Sequence, residues 1–168
     1  MGNKQQARNE QANMQPEPGV SRFCYRIGSS LILLESDILA EVLTAQSIFP
    51  IPFAPEWCAG LTSLRGDLYP VIDMHKVVQG RPATDSCQLL FIQHPRFPPV
   101  VFTCDGYPRQ LRLPMTALTE HLAENLPGWI PHILLHDNQS LLAADHGRLL
   151  RQIQRSANRQ DATTHFSA

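Results

Sequence analysis

A chain of 168 residues is long enough for one domain with its own core and too short for two ordinary ones. With 43% hydrophobic and 17% charged residues the composition is globular, and a net charge of −1 offers no basic footprint for nucleic acid or anionic lipid. Fourteen prolines, well above the ~5% usual in proteins, argue against a helical bundle and for short strands joined by turns.

In chain order, residues 1–19 are polar, rich in Gln and Asn, and close on Pro16-Glu17-Pro18-Gly19. They cannot bury enough apolar surface to offset their ordering entropy, so a disordered tail is expected there. The Phe23–Ile27 stretch alternates, Gly28-Ser29-Ser30 turns, and Leu31–Leu34 continues as a buried strand, which together read as a hairpin. The run from Glu35 to Leu43 is ambiguous in period, because Ser36 or Asp37 could also cap a helix. Three prolines alternate with apolar residues between Ile48 and Pro55, so that stretch is an extended connection.

Two further strands flank a turn at Arg65-Gly66-Asp67, where Gly66 can take a positive φ without steric cost. Trp57–Leu64 precedes the turn and Leu68–Met74 follows it. Gly60 inside the first strand marks a bulge or a close backbone approach, and Pro70 puts the second strand at an edge or a bend. After Met74, residues 75–78 read as a short helical turn closed at Gly80. Cys87–Ile92 and Val100–Gly106 are strands, and Arg109–Leu113 is a half-buried one. Met115, Leu118, Leu122 and Leu126 fall at helical spacing. A last hairpin turns at Asp137–Gln139, and Leu149, Leu150 and Ile153 mark a short C-terminal helix before a tail expected to be disordered from residue 156.

Pro55, Trp57, Gly60, Leu64-Arg65-Gly66 and Pro70-Val71-Ile72-Asp73 stand at the spacing of one known signature. The chain resembles the CheW-like family of bacterial chemosensory coupling proteins from about Phe23 to Ile153. The match is strong up to Asp73 and thinner afterwards. Thr62-Ser63 departs from the family's apolar–asparagine pair, and the second half keeps few of its aspartates. The resemblance implies a mostly β fold of two small, intertwined five-stranded barrels of SH3-like type, with short helices and a groove between the barrels. It places a turn and a strand across Ser36–Leu43, and a loop rather than a helix over 115–126. It also implies protein-binding residues at Leu39, Glu41, Leu64, Arg65 and Asp67, and structural roles for Trp57, Gly60, Gly66, Pro70 and Asp73. The pair Glu41 and Arg65 is expected within ion-pair reach.

Nothing in the sequence carries catalysis. His132 and His136 stand four apart without an intervening glutamate, on a segment that reads as a strand, which makes them poor zinc ligands. Asp73 and His75 would share a strand face. Cys24, Cys58, Cys87 and Cys104 are scattered in apolar runs and read as reduced core thiols. No phosphate-cradling loop or dinucleotide fingerprint appears, and neither cofactor nor metal is expected. No signal peptide or apolar run of ~18 residues is present, so a cytoplasmic protein without membrane insertion is expected. By the resemblance, the partners are the regulatory domain of a CheA-like histidine kinase and the tip of a methyl-accepting receptor. The light charge and the thinned second half favour the type IV pilus twitching branch, whose coupler is called PilI. A divergent regulator binding one partner, or a small-molecule-binding β-barrel, are the alternatives.

Overall fold

The computed structural model describes residues 19–44, 46–84, 86–114, 120–122 and 126–164. The chain starts with β1 (Gly19–Ile27) and β2 (Ser30–Leu33), then runs through β3 (Leu39–Leu43), β4 (Cys58–Leu64), β5 (Asp67–Ile72), α1 (Met74–Gln79), β6 (Gln88–Gln93) and β7 (Val100–Cys104). It closes with β8 (Arg109–Pro114), β9 (Glu120–Leu122), β10 (His132–His136), β11 (Gln139–Ala143) and α2 (His146–Thr164). A first sheet has the order β8-β1-β2-β11-β10-β9 and a second the order β3-β6-β7-β5-β4. The expected β architecture is therefore present. The first sheet has six strands rather than five, the extra one being the three-residue β9 at its edge.

The central strands of both sheets are buried on two faces, and strand alternation explains how. Along β1 and β2, Tyr25, Ile27 and Ile32 face a core shared with the second sheet, while Cys24, Leu31 and Leu33 face a smaller core inside the first. Along β6 and β7 the same division holds. Leu90, Ile92 and Phe102 join the shared core, whereas Leu89, Phe91 and Val101 fill a private core of the second sheet. Successive side chains point to opposite faces, and here both faces are apolar. The resulting runs are continuous rather than alternating.

The hairpin that dominates the sequence folds as its residues dictate. Arg65 (φ 55°) and Gly66 (φ 92°) both lie at positive φ, as a two-residue type I′ turn demands, and Leu64 pairs with Asp67 across it. Gly60 (φ 140°) sits at the register shift between β4 and β5. A Cβ there would lie 2.3 Å from the carbonyl oxygen of Phe49. Bulge and close approach coincide. Phe49 exchanges both backbone hydrogen bonds with Leu61, at 2.7 and 2.9 Å. Pro70 pairs with Leu61 from the other side, so its missing N–H leaves no gap, and β5 joins β7 only from Val71 onward.

Three boundaries differ from the sequence reading. Gly19, placed there in the tail, is already paired with Pro114 in β1. Asp73 and His75 do not share a strand, since β5 ends at Ile72 and Asp73 caps α1, accepting a hydrogen bond from the Lys76 N–H at 3.0 Å. The C-terminal helix continues to Thr164, past the tail boundary at residue 156. Once Leu149, Leu150 and Ile153 anchor it in the core, the Gln, Arg and Ala that follow propagate it at little cost. Leu122 is in a strand rather than a helix, while most of the contested 115–126 segment lies outside the described residues, as do residues 1–18.

Candidate interaction groove

Where the two sheets meet, a groove of about 460 Å³ opens. Phe23 of β1, Tyr107, Ile38 of the β2–β3 connection, Leu39 and Val42 of β3, and Leu90 of β6 line it. Phe23 and Leu39 are more than half exposed, so an apolar wall faces solvent. Arg22 holds one end of that wall, donating from Nε and Nη2 to the carbonyl of Leu34 at 3.1 and 2.9 Å.

Beside the groove, β3 also carries Glu41. The Arg65 Nη2 donates to both of its carboxylate oxygens, at 2.9 and 3.0 Å. The pair is open to water, with side-chain exposures of 69% for Arg65 and 48% for Glu41. Such an exposed pair contributes ~0–1 kcal/mol to stability. Of the other predicted binding residues, Leu39 is exposed at the groove and Asp67 is exposed at the hairpin. Leu64 instead turns inward and packs on the private core of the second sheet, because it shares a strand face with Thr62. Trp57 donates from its indole nitrogen to the Ser156 hydroxyl at 2.9 Å, which ties the hairpin to α2.

Buried polar groups form two clusters that the sequence did not disclose. In one, the Glu35 carboxylate accepts the His146 backbone N–H at 2.7 Å, contacts the His146 ring Nδ1, and so caps α2 from another element. His146 Nε2 lies 3.0 Å from the Tyr25 hydroxyl. In the other, His75 lies 2.9 Å from Asp105 and 3.0 Å from the Thr103 hydroxyl, and the Gly28 N–H donates to Asp105 at 2.6 Å. No single residue type marked either cluster, because a lone Glu or His in an apolar run shows its partner only after folding.

Each cluster holds one carboxylate below its ordinary range. Burial alone would raise the Glu35 pKa, but the hydrogen bond and charge of His146 outweigh it and hold the group below its ordinary 4.5. Asp105 likewise sits below 3.8, where burial is outweighed by the His75 hydrogen bond and the Gly28 N–H. A carboxylate with a lowered folded pKa stabilises the fold above its unfolded pKa and loses that contribution as pH falls through the folded value. The melting temperature should therefore start to fall near pH 4 and keep falling below it. Glu35→Gln and Asp105→Asn should flatten that decline, and an acid limb unchanged in both variants would show that other carboxylates set it.

The chemistry of the remaining reactive groups is quiet. Burial, with Cys87 and Asp105 adding to it, pushes the Cys104 thiol up to about 12, so it is not a nucleophile near neutral pH. His132 and His136 lie on β10, where four residues of strand put about 13 Å between them. Among the described residues no group of three His, Cys, Asp or Glu could hold a metal ion.

A family model described as the CheW-like domain matches residues 22–154. The chain belongs to the CheW-like family. Over 60 residues the chain is 35% identical to Protein FrzA of Myxococcus xanthus, covering 36% of this chain and 38% of that protein. Over 60 residues it is 32% identical to the Chemotaxis protein CheW of Treponema pallidum, covering 36% and 35%. Each match thus spans little more than a third of the relative's length. The crystal structure of the scaffolding protein TtCheW from Thermoanaerobacter tengcongensis superposes with a TM-score of 0.61 at 18% identity, over 76% of this chain and 89% of that one. That likeness is one of fold. No helix among the described residues is long and apolar enough to cross a membrane.

Proposed function

We propose that this CheW-like chain is an adaptor that holds a methyl-accepting receptor and a CheA-like histidine kinase in one geometry. The groove takes an amphipathic helix from the receptor tip, and the exposed barrel surface around Arg65 takes the kinase regulatory domain. The observation that carries this reading is the groove itself, an apolar channel walled by both sheets, with Glu41 on the strand that forms one wall paired to Arg65 of the hairpin turn. A helix laid into such a channel buries its apolar face, while the guanidinium held by Glu41 supplies direction and specificity to the kinase contact. The low charge of the chain favours a pilus twitching system of the PilI kind over a flagellar one as the setting.

The test mixes the purified chain with a receptor-tip helical hairpin and a CheA-like regulatory domain from the same bacterium. A ternary complex on size exclusion, with each partner also bound alone, is the expected result. Binding to one partner only would make the chain a single-partner regulator and overturn the adaptor reading.

A further inference from the structure

The helix α2 touches both sheets through directional contacts. Its first residue, His146, is fully buried, reaches Tyr25 on β1 and Glu35 just after β2, and stacks its ring on Phe102 of β7. Ten residues later, Ser156 accepts the indole N–H of Trp57, which leads into β4 of the second sheet. The same hydroxyl donates to the Ile153 carbonyl at 2.8 Å, which fixes its orientation. The helix is thus hydrogen-bonded to the first sheet at its start and to the hairpin of the second nearly three turns on. Elsewhere among the described residues the sheets meet through apolar packing, which is non-directional, and where the chain crosses back at Asp105. There the Asp105 N–H donates to the Arg26 carbonyl at 2.8 Å, and the Gly28 N–H donates to the Asp105 carboxylate. That crossing gives a pivot. A pivot alone does not fix an angle.

We infer that α2 is the strut that holds the two sheets at one angle and so sets the width of the groove, with His146 and Ser156 as its positioning residues. Glu35 is the joint between strut and groove, since it lines the groove and caps the helix at once. What the strut does for binding rests on the groove being the docking site. What it does for the sheet angle does not.

Residual dipolar couplings from the full chain report that angle without any partner. In the native chain, amides of both sheets should fit a single alignment tensor with the geometry described here. Ser156→Ala and Trp57→Phe remove the same hydrogen bond from opposite sides, and each should rotate one sheet relative to the other. Each should also weaken a receptor-tip helix about tenfold. His146→Leu should do the same more strongly, and His146→Asn, which keeps a donor near Glu35, should restore part of the native orientation. Should His146→Leu fail to fold, Ser156→Ala and Trp57→Phe decide. Couplings that match the native set in both, with only a lower melting temperature, would reduce α2 to a packing element and overturn the inference. If the native chain binds no receptor helix while the couplings shift as expected, the docking reading falls and the strut stands.

Discussion

Gly60→Ala should lower the stability of this protein by about 3 kcal/mol or more, because strain and lost hydrogen bonds add at one position. The new Cβ would land 2.3 Å from the Phe49 carbonyl oxygen and 2.8 Å from its carbon. Neither atom can retreat as a flexible side chain can. The Phe49 backbone must move away from β4, and with it go the two hydrogen bonds to Leu61. The backbone at φ 140° adds its own penalty for any residue with a Cβ. A domain of this size loses about 2–4 °C of melting temperature per kcal/mol, so a fall of roughly 6–12 °C is expected. Gly66→Ala is the control. Gly66 also has positive φ, but nothing lies within 4 Å of its would-be Cβ, and about 1 kcal/mol is expected there. Equal losses in the two variants would mean that φ alone matters and that the close approach to Phe49 does not.

The second large effect concerns binding, and it separates cleanly from stability. Arg65→Ala should leave the melting temperature within about a degree of the native value, since the ion pair it removes is exposed and worth ~0–1 kcal/mol. Partner binding should weaken at least tenfold, about 1.4 kcal/mol, because a guanidinium held by a carboxylate is a preorganised donor at an interface. Arg65→Lys should recover only part of the affinity, as the planar fork is lost. The sharper variant is Arg65→Gly. Arg65 occupies the left-handed region at φ 55°, where glycine is at ease and other residues pay. Arg65→Gly should therefore raise the melting temperature while abolishing the same binding increment. An arginine in a strained turn that contributes nothing to binding would leave Arg65 as a stabilising residue only, and a drop in stability with unchanged affinity would show that.

How much of this could be read beforehand depended on range. The hairpin of Trp57–Met74 was legible because its signals are local: a glycine for positive φ, a glycine for a close approach, a proline where no donor is needed. Even the Phe49 contact was half visible, as a demand on Gly60 with the partner unnamed. The ion pair of Glu41 and Arg65 came from the family resemblance, since 24 residues separate them and no periodicity links β3 to the hairpin. The inward turn of Leu64 was lost because the Leu-Arg-Gly string marks a turn, not which face its leucine takes. The extension of α2 was missed for a different reason. Its last turns carry no apolar stripe, and only the anchored first half makes them helical. Glu35 and His146 lie 111 residues apart, and Tyr25 lies on a third element, so nothing local announced that they meet.

The shared core has a consequence for heredity. The strands β1, β2, β5, β6, β7 and β11 each give one face to a private core and the other to the common one, and the second sheet is a single excursion of the chain away from the first and back. Excising that excursion would strip cover from Tyr25, Ile27 and Ile32, and transplanting it would bare Leu90, Ile92 and Phe102. Neither piece can be shuffled into another gene as a working module. The two sheets can only be inherited together, so a lineage that adapts one face to a new partner carries the other face along with it.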